Sequence, residues 1–426
     1  MTNYNQAEEL RKNRNYAEAE PLFATIWEAS DFQDTNAGWR YVFCLRKQGK
    51  LAEALKIARQ AREHGPDDRM LRSELVWTLY DAQIKPAQKA EDLSELLTAA
   101  SEAIDAGAED LALMRIAFAV AAVAKAKGKW QLVAEWCDKL DYRSLKTDVG
   151  SDKSGQSEAR MSDREQWFYK RIKAAIELGD WDTTEQLAAD AVETFPRNRH
   201  FRRWHATAQA ECGNLTAAVA ELAALCQSGR PDWFEWHDLA RYEARSGIYD
   251  DALVHAAQGA LIKGEDKVKV NLYQLMGHIW MTTGELVNAA RMLSLYRQVY
   301  EHNGWRVNEK QEKLEAIMAR KIDEAGQAWL DIPHDTRQLV RELRPVWQDL
   351  ADSKLDFRTG TVKMVNDERK FGFIQPDDGS PDVHFKFNDA PRNIARDQRV
   401  RFVVTERIDP KDQQVKPSAI NIRVEH

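Results

Sequence analysis

The chain has little of what most covalent or metal chemistry requires. Its four cysteines, Cys44, Cys137, Cys212 and Cys226, are scattered over 426 residues without CxxC spacing. Neither a zinc site nor a disulfide framework is indicated, and small apolar residues in a reducing compartment are the expectation. Glycine (20) and proline (12) are sparse while tryptophan (14) is generous, which points to a mostly helical body. Long apolar runs are missing: the longest, residues 111–124, is interrupted by Arg115 and is too short to span a bilayer. The first residues carry no basic or apolar leader. A cytoplasmic location with no membrane role follows as an expectation. Also absent are GxxxxGK[ST], GxSxG and HExxH. The ten histidines are dispersed, and His200 and His205 are five apart, off the i, i+4 spacing of a metal pair on a helix. We expect no enzyme, no metal and no cofactor.

Charge of one sign is lacking too. A net charge of −7 excludes wholesale electrostatic capture of a polyanion. From Asp356 onward 13 Lys/Arg face 12 Asp/Glu, so the tail is near +1 and the preceding residues near −8. Any nucleic-acid affinity must lean on stacking as much as on charge.

What is present is a repeat. Gly179-Asp-Trp181-x-x-Thr184, Gly213-Asn-Leu215-x-x-Ala218 and Gly247-Ile-Tyr249-x-x-Ala252 follow one another at steps of 34 residues, and Gly284-Glu-Leu286-x-x-Ala289 comes 37 later. Earlier copies are Gly49-Lys-Leu51-x-x-Ala54 and Arg14-Asn-Tyr16-x-x-Ala19, with irregular hairpins around residues 70–105 and 110–140. This period and pattern resemble the tetratricopeptide repeat (TPR), a helix–turn–helix unit that stacks into an α-solenoid. About eight hairpins are expected over residues 1–330. A Ser/Gly-rich interruption at about 144–163 reads as a mobile loop, and a helix at about 307–330 as the cap. The resemblance implies a groove lined by first helices where a protein or peptide docks. It puts Tyr169, Lys173, Arg203, His237, Arg241, Arg245 and His278 on that wall, a cationic set suited to an acidic peptide or an RNA backbone.

The last seventy residues differ in kind. Gly360-Thr-Val-Lys363-Met364-Val-Asn366, Arg369-Lys370-Phe371-Gly372-Phe373-Ile374 and Asp382-Val-His384-Phe-Lys386-Phe387 resemble the first three strands of the cold-shock family, including its RNP1 and RNP2 strands. Residues 398–405 and 417–424 resemble its last two. The resemblance implies a five-stranded OB-type β-barrel at residues 356–426 that binds single-stranded RNA or DNA. It also implies that Phe371, Phe373 and Phe387 stack bases and that Lys363 contacts the backbone. Alternation puts Val383 and Phe385 in the core. Departures from the family are Met364 for a tryptophan, Lys370 for a glycine, His384 for an aromatic and Lys386 for a histidine. Arg392 and Arg396 in the following loop could track phosphates. Weaker and more salt-dependent binding than a typical member is expected.

The reading is a mostly α chain: a TPR-like array at 1–330, a helical linker at 331–355 and a cold-shock-like barrel at 356–426. Functionally it reads as an adaptor that touches single-stranded nucleic acid, RNA ahead of DNA, and a protein partner. The same features leave open a pure protein scaffold, or a regulatory subunit of an enzyme complex such as a nuclease or defence assembly, with an eroded barrel. Partner identity, sequence preference and oligomeric state are not readable.

Overall fold

The computed structural model describes residues 3–148, 161–307, 309–325, 332–408 and 415–425. The chain divides into two compact units, Met1–Glu221 and Leu222–His426. The first holds α1 (Asn3–Lys12), α2 (Tyr16–Ala29), α3 (Thr35–Lys47), α4 (Leu51–His64), α5 (Arg69–Leu79), α6 (Lys85–Lys89) and α7 (Leu93–Asp105). It continues through α8 (Asp110–Ala126), α9 (Trp130–Cys137), α10 (Asp163–Leu178), α11 (Trp181–Thr194) and α12 (Arg199–Glu211), and α13 (Leu215–Gln227) crosses into the second. The second unit continues with α14 (Trp233–Arg245), α15 (Tyr249–Leu261), α16 (Val270–Thr283), α17 (Leu286–His302), α18 (Glu309–Glu324) and α19 (Thr336–Asp352).

The recurring motif marks a backbone conformation. Each turn from α1 to α2, α3 to α4, α8 to α9, α10 to α11, α12 to α13, α14 to α15 and α16 to α17 contains one residue of positive φ: Arg14, Gly49, Gly128, Gly179, Gly213, Gly247 and Gly284. A left-handed residue ends one helix and reverses the chain within two or three positions, and glycine adopts it without a Cβ clash. Arg14, in the glycine position of the first turn, takes φ 67°. The hairpin at 110–140 is therefore regular, its turn at Gly128 following the same rule. The one at 70–105 is irregular for a visible reason: a π-helical turn at Tyr80–Ile84 joins α5 to α6, and Glu91 (φ 53°) makes the reversal before α7. Ala54, Ala218 and Ala252 are fully buried, small side chains at the core-facing positions of the second helices. This is the TPR-like hairpin array expected.

Three expected boundaries look different in detail. Residues 149–160 of the interruption lie outside the described residues, but its flanks are fastened. Tyr142 stacks on Trp167 with centroids 4.5 Å apart. Arg164 donates to the carbonyls of Arg143 and Leu145, and Ser162 caps α10 by accepting from the Glu165 N–H. The capping helix is observed as Glu309–Glu324, and residues 308 and 326–330 of the expected span lie outside the described residues. The helix read as a linker, α19, is packed as core. Leu339, Leu343, Trp347 and Ala351, at every fourth position, are buried against α15–α17. A strongly amphipathic pattern has no use in a free connector, and here the apolar stripe completes the hydrophobic core of the helices before it.

Past α19 come β1 (Phe357–Asn366), β2 (Phe371–Pro376), β3 (Val383–Lys386), β4 (Arg399–Ile408) and β5 (Val415–Val424). They close a barrel in the order β1-β2-β3-β5-β4, with β3 and β5 parallel and the other pairs antiparallel. Closure removes the open edges of a small sheet. Val362, Ile374, Val383, Phe385, Val400, Phe402, Ala419 and Ile422 fill the interior. The barrel meets the helix before it through charge. Asp352, buried at the end of α19, lies 3.5 Å from Arg401 of β4 and 3.7 Å from Arg423 of β5, and accepts from Gln348 at 2.9 Å.

Candidate nucleic-acid interface

The outer face of β1-β2-β3 carries two cross-strand rows. Pairing places Met364 beside Phe373 and Phe373 beside His384, then Asn366 beside Phe371 and Phe371 beside Lys386. Because side chains alternate along a strand, all six point away from the packed interior. Phe371 and His384 stack with centroids 5.5 Å apart and planes 28° from parallel. Phe373 stands edge-on to both, 5.9 Å from Phe371 and 5.5 Å from His384. The result is a continuous, partly exposed aromatic platform of three rings.

Two backbone features shape it. The β1–β2 register shifts between Val362 and Met364, a bulge that breaks alternation, so Lys363 and Met364 are both exposed while Val362 and Val365 turn inward. Gly372, between the two phenylalanines, lets the strand lie against the interior. A Cβ there would meet the Met364 carbonyl oxygen at 2.5 Å and the Phe385 ring. Lys370 takes φ 56°, which explains why the position before the first RNP1 aromatic is glycine in the resembled family: a left-handed residue is needed, and here a lysine bears the strain.

The cations divide into held and free. Lys363 is ion-paired to Asp382 at 2.6 Å. The Lys370 ammonium lies 5.4 Å from the centroid of Phe387, whose ring in turn stacks over buried Phe385 at 6.4 Å and packs against the barrel core. Phe387 is thus half-buried, with Phe385 against its ring and the Lys370 ammonium beside it. Arg396 is exposed beside Asp397 at 3.6 Å, and Arg392 and Lys386 are exposed. Asp367 and Glu368 in the β1–β2 turn are also exposed, which dilutes the positive field. Asn366, not singled out from sequence, joins the second row. Its side chain accepts from the Arg369 N–H at 2.8 Å and shapes the turn. Strand alternation was the signal that could have found it.

Of the residues expected along a helical groove, Tyr169, Lys173 and Arg203 belong to the first unit. Tyr169 packs on Trp204 (4.8 Å) and His200 (5.9 Å), and Lys173 pairs with Glu177 at 2.7 Å. In the second unit Arg241 and Arg245 both lean on the Tyr242 ring, at 4.4 and 5.3 Å. His237 lies 3.4 Å from Asp238. Burial, and after it the charge of Lys321, holds His278 below the ordinary histidine range. It is neutral at pH 7 and adds nothing to the cationic set expected there.

Among the described residues, no group of three His, Cys, Asp or Glu side chains could hold a metal, and no helix is long and apolar enough to cross a membrane.

A family model for the 'Cold-shock' DNA-binding domain matches residues 358–424. The cold shock-like protein CspE of Escherichia coli K12 is 44% identical over 50 residues, which cover 11% of this chain and 72% of that protein. CspJ of Salmonella typhimurium LT2 is 43% identical over 68 residues, 15% of this chain and 89% of that protein. Among solved structures, the APC/C hetero-tetramer Cut9–Hcn1 aligns over 83% of this chain and 76% of its own at 11% identity and a TM-score of 0.41. Strand order, aromatic platform and sequence identity agree: through residues 358–424 the chain belongs to the cold-shock domain family.

Proposed function

We propose that the chain is a cytoplasmic adaptor whose barrel binds single-stranded nucleic acid, RNA in preference to DNA, while its helical hairpins hold a protein partner. The observation that carries the first half is the joined platform of Phe371, Phe373 and His384 on the outer barrel face. Unstacked bases lie on such rings, and each contributes about 1–3 kcal/mol. Met364 extends the platform as an exposed apolar edge, and on this reading the exposed Lys370, Lys386 and Arg392 contact phosphates.

Affinity for the barrel alone is modest on this reading. Two or three stacked bases supply roughly 4–6 kcal/mol, a millimolar to tens-of-micromolar constant, and the ion-paired Lys363 and the charge-balanced β1–β2 turn (Asp367, Glu368, Arg369, Lys370) add little Coulombic pull. Tethering supplies the rest. A partner held by the hairpins and touching the same strand makes the second contact intramolecular.

Fluorescence anisotropy of the full chain with labelled single-stranded RNA and DNA of about ten nucleotides, at two salt concentrations, tests the reading. Salt-sensitive binding that disappears in Phe371→Ala/Phe373→Ala supports it. Absence of binding at low salt removes the barrel from consideration and leaves a protein scaffold.

A further inference from the structure

The surface of α8 carries a second arrangement of cations on rings, far from the barrel in sequence. Arg115, Phe118, Ala122 and Lys125 fall at i, i+3, i+7 and i+10 and form one solvent-reaching stripe. The Arg115 guanidinium lies 5.4 Å from the ring of Trp77 on α5. Lys170 of α10 lies 4.8 Å from the ring of Phe118. The Lys125 ammonium lies 5.9 Å from the ring of Tyr169, also on α10. Each cation rests on an aromatic face, and among the described residues none of the three has a carboxylate in ion-pair range.

Three acids on the flanking segments have cations of their own. Glu74 of α5 and Asp81 of the π-helical turn are held by Arg46 at 3.0 and 3.1 Å, and Asp81 also by Lys85 at 2.6 Å. Glu177 of α10 is held by Lys173. Burial, and then the like charge of Lys125, keeps the Lys170 ammonium below the ordinary lysine range. Gathering three uncompensated cations on one face costs free energy that a bound anion would return. From Arg115 to Lys125 the helix rises about 15 Å, room for more than one phosphate. The aromatic line continues beyond Tyr169 to Trp204 and His200 of α12.

We propose that this stripe is a second site for single-stranded nucleic acid, with phosphates at Arg115, Lys125 and Lys170 and bases laid against Trp77 and Tyr169. An acidic peptide would use the cations but not the rings. A strand of alternating charged backbone and flat base matches the alternation of cation and ring seen here. The site lies within the first unit and does not rest on the barrel reading.

The test uses the full chain with the barrel disabled by Phe371→Ala/Phe373→Ala, and a labelled oligouridylate of about 20 nucleotides. Residual binding is expected. Adding Arg115→Glu and Lys125→Glu, both at exposed positions, should weaken it at least about tenfold and lower the slope of log affinity against log salt by about two. Oligoglutamate of equal length should compete poorly. If the parent chain binds but the barrel variant binds nothing, the stripe is not a site and the barrel reading stands. Residual binding indifferent to the charge reversals overturns the proposal as well. Displacement by oligoglutamate as effective as by RNA gives the stripe to an acidic protein instead. A parent chain that binds no strand defeats both readings. Should the reversals lower the melting temperature, Arg115→Gln/Lys125→Gln carries the same comparison.

Discussion

Trp347 of α19 lies face to face with Tyr273 of α16, ring centroids 5.7 Å apart and planes 9° from parallel, and both residues are fully buried. A helix ahead of the barrel is thereby part of the helical core. Trp347→Ala leaves a cavity that the packed helices cannot close, and a loss of about 3–5 kcal/mol is expected. Urea unfolding followed by far-ultraviolet circular dichroism measures it. A loss below about 1 kcal/mol would return α19 to the status of a connector.

Arg14 and Lys370 both hold left-handed backbone without being glycine. Replacing either with glycine relieves roughly 1–2 kcal/mol of strain and loses part of it to the freer unfolded chain, for a net gain of about 0.5–1 kcal/mol. The two variants separate in function. Arg14→Gly should raise the melting temperature alone. Lys370→Gly should stabilise the barrel and weaken single-strand binding, because it removes the ammonium beside Phe387. Tighter binding by Lys370→Gly would take that lysine out of the interface.

His384 completes the aromatic platform with an imidazole stacked on Phe371. His384→Phe offers a larger π-face at the same register position and should tighten binding by up to about fivefold, near 1 kcal/mol. Anisotropy titration of the two chains side by side decides it. A weakened variant would mean that His384 contributes a hydrogen bond rather than a stacking surface.

Glu8 sets a pH dependence in the first hairpins. Its carboxylate accepts from Arg11 at 2.7 and 2.8 Å and from Arg40 at 2.8 Å. The Arg11 hydrogen bonds, outweighing burial and aided by Arg40, hold it at about 2, down from 4.5. A depressed folded-state value means that this stabilisation is complete above about pH 4.5 and is lost as pH falls through about 2. Glu8→Gln should cost ~1–2 kcal/mol at pH 7 and nothing once the pH is well below 2. Thermal melts of both chains across that range check it, and parallel curves would dismiss the pairing.

Much of the barrel is legible in the sequence. Phe371 and Phe373 sharing a face, and Val383 and Phe385 turning inward, follow from the two-residue period of a strand. The bulge at Lys363, which exposes Met364 beside it, was not legible because it depends on how β1 pairs with β2. Phe387 likewise reads as a platform in sequence, and only its stacking on Phe385 and its contact with Lys370 show how much of its face is used.

What is local follows from the amino-acid order: the 34-residue recurrence, the left-handed turn that each glycine permits, and the alternation of the strands. These depend on a few consecutive dihedral angles and side chains. Which faces find a neighbour was settled by packing. It made α19 a core helix by supplying Tyr273 to Trp347, and it seated Asp352 between Arg401 and Arg423. It also left Arg115, Lys125 and Lys170 on aromatic rings, with no carboxylate in ion-pair range among the described residues. Pairing of charges and burial of rings are relations between distant segments, and only the packed chain brings them within reach.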